Sequence, residues 1–414
     1  MKYIFLSIIT LLFCARIFIL FTADTSKLYR PDSFEYINLR DNLISTNQYS
    51  IDLKPHTFRP PGYPIFLYIL AKIHITKAKS IILVQLFLEI LNLFLLYTIA
   101  TIFKLNQNIK LITIIICYAS PIMCVYAMSL LSETLFLSLF LSAIIWLNTQ
   151  TKLGAIALGI CMAGMCYTRP IAIFVLGVFL IFCIIKKQNK HLLGLLLSIL
   201  LLMPWVIRTH NIAGTWSIGT VGDITLYRYH AAALEAKINN QKFSQVQSKF
   251  NKQLQKHPQS QALYAARSWK QIIFAHPITY LGIHLQKSFV LFMPIAGDLL
   301  NKIGFKIGSI GTLNIINSKG LIAGIIYYIQ KTGWPILFLI PFVLYTFATY
   351  ILIAITAIKF KFKFSDSMQW LCFTSCIILI AITGPDSHPR FRMPITPFMS
   401  MLCAQGILII LRKN

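Results

Sequence analysis

Five of the chain's twelve carboxylates, Asp24, Asp32, Glu35, Asp41 and Asp52, fall between residues 24 and 64. They form a polar island between two apolar stretches and lead into Arg59-Pro60-Pro61-Gly62-Tyr63-Pro64. Ionisable groups held against a bilayer mark chemistry or transport more often than stability. Asp32 and Glu35 stand three apart behind Pro31, a residue suited to the first turn of a helix, so both carboxylates share a face there. A helix N-terminus favours their ionised forms. Simple capping is the competing reading for Glu35. Asp32 is harder to assign to capping, because Ser33 can equally serve as the cap and the loop is rich in acids. Glu133, in Leu131-Ser132-Glu133-Thr134, is either a helix N-terminal residue or a second carboxylate facing Asp32.

The cations are the other half. Arg59 precedes the rigid Pro-Pro-Gly turn, Arg169 sits between two apolar segments, and Arg208 ends another. Arg390 and Arg392 flank Phe391 in a turn that also holds His388. A guanidinium offers a fixed fork to phosphate oxygens, although a single arginine near a membrane can equally snorkel to headgroups. Acids and arginines gathered at one lipid-facing surface suit transfer from a phosphate-linked lipid. A carboxylate takes the proton of an acceptor hydroxyl, and arginines stabilise charge on the departing phosphate. The sequence holds no Gly-rich phosphate loop, zinc spacing, G-x-S-x-G or H-E-x-x-H. No metal or other cofactor is expected.

The elements that must position these groups are membrane helices. Of 414 residues, 57% are apolar and only 12% charged, with mean hydropathy +0.70, against about 25% charged in soluble domains. Apolar segments fall at 3–22, 80–103, 109–128, 130–148, 153–168, 170–186, 191–208, 334–358, 367–383 and 393–411. The expected class is an all-α, polytopic membrane protein with about ten spans, or twelve if residues 208–334 cross twice. The first segment reads as an uncleaved span rather than a signal peptide. Lysines and arginines recur at every second connection: Lys104 and Lys110, Lys152, Lys186 to Lys190, Lys359 to Lys363, then Arg412 and Lys413. Short basic loops stay cytoplasmic, so both termini are expected inside and every candidate acid and arginine outside.

Three parts follow: a seven-span module over 1–210 with its outer loop at 23–79, an outer or interfacial helical region at 211–333, and membrane helices at 334–414. Residues 62–73 and 278–296 read as interfacial helices. Phe243, Phe250 and Leu254 have the spacing to dock an outer helix on the membrane part. Glu89, in a stripe with Gln85 and Asn92, reads as protonated glue between spans, with Arg16 as its partner. The nine cysteines all lie in apolar stretches and read as small hydrophobes. The net charge of +26 is scattered, which favours anionic lipid and phosphate over nucleic acid as partner.

With these residues in place, the chain resembles the type C glycosyltransferases (the GT-C fold), in particular bacterial relatives of protein O-mannosyltransferases and of lipid A aminoarabinose transferases. The resemblance is carried by Asp32-Ser-x-x-Tyr36, Arg59-Pro-Pro-Gly-Tyr-Pro64, Ser132-Glu133-Thr134, Thr168-Arg169-Pro170, Pro204-Trp205-x-x-Arg208 and Pro389-Arg-Phe-Arg-Met-Pro394, in that order. It implies an inverting transferase at the outer face of a bacterial inner membrane, moving a sugar from a polyprenyl phosphate to a hydroxyl of a protein, lipid A or glycan. Asp32 would be the base, with Glu133 and Glu35 as further acids. Arg59, Tyr63, Arg169, Arg208, His388, Arg390 and Arg392 would bind the donor. The rival from another class is a lipid flippase or transporter.

Overall fold

The computed structural model describes residues 2–258, 260–305, 307, 311, 312, 315, 321–360 and 367–411. Lys361, Lys363, Arg412 and Lys413, used above for orientation, lie outside the described residues, as does much of the 310–320 stretch. Helix α1 (Lys2–Thr22) is followed by α2 (Pro31–Thr46), the hairpin β1–β2 (Ser50–Ile51, Lys54–Pro55) and α3 (Gly62–Lys72). Then come α4 (Ala78–Ile102), α5 (Gln107–Ala119), α6 (Pro121–Ala127), α7 (Glu133–Leu147), α8 (Lys152–Thr168), α9 (Ala172–Ile185) and α10 (Asn189–Ala213). A helical layer follows: α11 (Val221–Thr225), a π-helical turn at Leu226–Ala231, α12 (Ala232–Ile238), α13 (Phe243–Gln255), α14 (Gln261–Ala275), α15 (Pro277–Ser288) and α16 (Ala296–Lys302). The last elements are α17 (Leu321–Thr332), α18 (Ile340–Phe360), α19 (Ser367–Ala381) and α20 (Thr396–Leu411). The hairpin is the only sheet among the described residues.

All ten apolar segments carry helix, but their lengths differ from the simple expectation. Among the described residues, five helices are long and apolar enough to cross a membrane, or six if α5 and α6 form one bent span. Helices α7, α8, α9 and α19 are apolar but shorter. The 14 residues of α9 cover about 21 Å, less than the ~30 Å of a hydrocarbon core. Helix length alone thus supports fewer crossings than ten.

The bend of 55° between α5 and α6 has an identifiable cause. Ser120 is extended and Pro121 has no N–H to give the preceding turn. The carbonyls released there are bonded by other elements, as backbone away from water requires. Ile116 O accepts from the Tyr345 hydroxyl and Tyr118 O from Arg16 Nη2. Arg16 also forks onto Glu89 at 3.0 and 3.1 Å, both residues being buried. The partner expected for Glu89 is thus in place, in the bidentate geometry that suits a guanidinium fork. Gln85 donates to Ala127 O and Ser129 O, and Asn92 to Thr134 O, so the polar stripe of α4 does tie the helices together. On the far side α8 and α10 pack backbone to backbone. A Cβ on Gly194 would sit 2.0 Å from Ala155 O, and one on Gly159 would sit 2.2 Å from Gly194 O.

The layer from α11 to α15 has its own core of Tyr227, Leu234, Val246, Phe250, Leu254, Ile273 and Ile283. The expectation that α13 docks on the membrane part is corrected here: Phe250 and Leu254 fill this separate core, and Phe243 is exposed. The layer attaches through Phe58, and through Thr220 and Val221, whose N–H groups bond Thr57 O and Phe58 O. Helix α15 buries Ile283 and exposes Ile278, Leu281 and Leu285, the opposite stripe at 3.6 residues per turn.

Candidate active site

The site begins with how α2 starts. Ser33, at the third helical position, accepts the Arg30 N–H at 2.9 Å and donates to Leu130 O at 2.7 Å. The cap is therefore supplied by serine, and the Asp32 carboxylate is released toward the arginines. Asp32 Oδ1 lies 2.9 Å from Arg59 Nη2 and Oδ2 lies 2.7 Å from Arg390 Nη1. Glu35, one turn on, pairs with Nε of the same Arg59. Burial works against the charge on Asp32, but Arg390, Arg59 and Arg169 outweigh it, so its carboxyl titrates below the ordinary aspartate range.

The second acid stands across the pocket. Glu133 opens α7, is only 2% exposed, and takes Arg169 Nη1 on Oε1 at 3.2 Å. Its other oxygen, Oε2, has no partner, nor has Arg390 Nε. Phe391 joins the two ion pairs: the Arg390 and Arg169 guanidiniums lie 4.9 and 5.1 Å from its ring centre. Asp32, Glu35 and Glu133 with Arg59, Arg390 and Arg169 thus form one connected pocket.

The other candidate residues lie elsewhere. Tyr63 is buried, donating to Gln85 Oε1 at 2.6 Å beneath the ring of Tyr36. Arg208 donates to His56 O and Tyr49 O and stacks on Trp205, fastening the hairpin loop and not facing Asp32. His388 sits at the pocket's edge, where its Nδ1 accepts the Arg390 N–H. Arg392 turns away from the acids and donates to the Tyr350 hydroxyl. Tyr350 in turn lines an apolar groove of about 1080 Å³, together with Phe289, Phe292, Met293, Phe347, Phe373 and Phe398 among others.

No protein-family model and no curated protein sequence matches this chain. Its function must be argued from the pocket.

Several groups at the site were not singled out from the sequence. Asp386 is held near Arg390, and burial, helped by the charge of Asp32, lifts its carboxyl to about 6. Burial, helped by the charges of Asp386 and Asp32, raises the phenol of Tyr229 on the π-helical turn. Tyr36 packs against Arg59 with its ring centre 5.5 Å from the guanidinium. His56 accepts the Arg59 N–H on Nε2, and burial together with Arg59 and Arg208 lowers it to about 4. Asp298 and Lys302 bring α16 to the rim, pairing with Arg30 and with two backbone carbonyls, Lys27 O and Met128 O. Tyr36 lay inside a motif already noted, and Asp386 and His56 fall three residues before two others. Among the described residues no three His, Cys, Asp or Glu are grouped to hold a metal.

Proposed function

We propose that the chain is a membrane glycosyltransferase that moves a sugar from a polyprenyl-phosphate donor to a hydroxyl acceptor, with inversion, at the outer face of a bacterial inner membrane. One observation carries the reading. The 3-10 turn Pro389–Ile395 sets Arg390 on Asp32 and, two residues later, Arg392 on Tyr350, a residue that lines the apolar groove. Two residues of such a turn rise only about 4 Å, so a lipid tail in the groove brings its phosphate to the carboxylate pocket. The alternation of basic connections supports ten crossings with both termini inside, the shorter helices being completed by their flanking turns.

In this reading the donor phosphate takes Arg390 and Arg59 from Asp32. Losing those cations raises the basicity of Asp32 at the moment substrate is bound. Asp32 then accepts the acceptor's hydroxyl proton as the acceptor oxygen bonds to the anomeric carbon. The bond from that carbon to the phosphate oxygen breaks, and the electron pair leaves with the phosphate, stabilised by the arginines. Glu133 Oε2, buried and unpartnered, is placed to hold a sugar or acceptor hydroxyl. The transport reading would rest on Arg16 and Glu89, but these satisfy each other and a backbone carbonyl, which suits a brace.

The test is sugar transfer in vitro with a panel of polyprenyl-phosphate sugars, beside mass spectrometry of envelope glycans from a deletion strain. Asp32→Asn should abolish transfer at unchanged expression. Full activity in that variant would remove the base from the mechanism and the reading with it.

A further inference from the structure

Residues 236–297 contain eight Lys or Arg and no Asp or Glu. Their topology does not explain this. Retention of positive charge on the inner side acts on short loops, and long connections such as 211–333 are exempt. The charge is also ordered. Lys242, Lys249, Lys252 and Lys256 are exposed and recur at spacings of seven, three and four along α13. At 100° per residue they occupy a single arc of about 80°, some 20 Å long. No acid stands at three or four residues from any of them to offset their mutual repulsion, which costs an isolated helix a few tenths of a kcal/mol per pair. Ser244, Gln245 and Ser248 interleave with these lysines and line a shallow cleft of about 630 Å³ with them.

This face lies close to the reaction pocket. On its apolar side α13 packs Phe250 flat on Tyr227, ring centres 4.4 Å apart, and Gln253 accepts from the Tyr227 hydroxyl. Tyr227 and Tyr229 belong to one π-helical turn, and Tyr229 feels the charges of Asp386, Arg390 and Asp32. The lysine face is thus connected to the acids through α13 and the π-helical turn it packs on.

We infer that the lysine face of α13 docks the acceptor, and that the acceptor is an acidic saccharide bearing phosphate or carboxylate groups. Lysines meet the anionic groups as point charges, and the serines and glutamines meet sugar hydroxyls. The inference rests on the transferase reading for the word acceptor, but binding can be measured without transfer.

The protein in discs of zwitterionic lipid is titrated with a phosphorylated oligosaccharide, a uronic-acid oligosaccharide and a neutral oligosaccharide of equal length. The acidic probes should bind saturably, weaken as salt screens the charges, and lose about tenfold in affinity in Lys249→Gln/Lys252→Gln/Lys256→Gln at unchanged thermal midpoint. Equal affinity in wild type and variant overturns the inference, as does equal binding of the neutral probe. Loss of binding when anionic phospholipid is added to the disc also overturns it, because the face then reads the bilayer. Active transfer by Asp32→Asn would instead sink the transferase reading and leave the binding result standing.

Discussion

Each arginine of the pocket is held by a carboxylate, so replacing one strands a charge. Arg169→Ala leaves Glu133 buried and unpaired, which should cost about 3 kcal/mol of stability. Adding Glu133→Gln should restore the thermal midpoint without restoring donor use; if activity returns as well, Arg169 is only a counter-ion. Asp386 gives a pH dependence of opposite sign to Asp32. Its carboxyl is raised to about 6 in the folded chain from 3.8 when unfolded, so the folded state keeps a proton that the unfolded state has lost. Stability falls as pH rises from about 4 to 6 and stays lower above that, by on the order of 3 kcal/mol. Asp386→Asn should therefore raise the thermal midpoint more at pH 8 than at pH 4, and an equal gain at both would contradict the assignment. For Asp32, whose folded value is depressed, the stabilisation is present above the unfolded value and is lost as pH falls through the folded one. Asp32, Glu133 and their arginines were legible because charged residues beside apolar runs are conspicuous. Arg208 and Tyr63 lie apart from the acids, and the sequence does not say whether such a side chain faces a ligand or another part of the chain.

At the scale of elements, the loop that carries Asp386, His388 and Arg390 is pressed against α15. His284 donates through its ring to Ala381 O, while its other nitrogen meets the Tyr280 hydroxyl that also serves His230. Gly384 lies under this ring with φ of +44°, and a Cβ there would come within 2.3 Å of Nδ1. Gly384→Ala should displace the turn bearing Arg390, at a cost of about 1–3 kcal/mol, and depress transfer. Gly222→Ala, where a Cβ meets nothing, is the control and should leave both stability and activity near wild type. Helical segments were readable from apolar runs and their punctuation. The broken helix was announced by Pro121, yet its mode of repair was not, because the donors Arg16 and Tyr345 come from remote parts of the chain. The separate core of α11 to α15 was also hidden: an amphipathic period shows that a face is buried, and not against which partner.

Across the whole molecule, the carboxylate pocket, the groove and the lysine face lie on elements from all three parts of the chain. Asp32, Glu133 and Arg169 come from the first part, Tyr229 and α13 from the second, and Arg390 and Arg392 from the last. Such a site exists only when the parts are docked together. The Arg16–Glu89 brace bears on how that docking begins. Arg16 lies six residues before the end of α1, and a bare guanidinium there resists insertion into lipid, by up to the roughly 2.5–3.5 kcal/mol of a helix centre. Its carboxylate follows 73 residues later. Nascent α1 is thus an unwilling passenger of the lipid until α4 emerges, and the two enter as a couple, so that the order of translation is written into the charge of the first span.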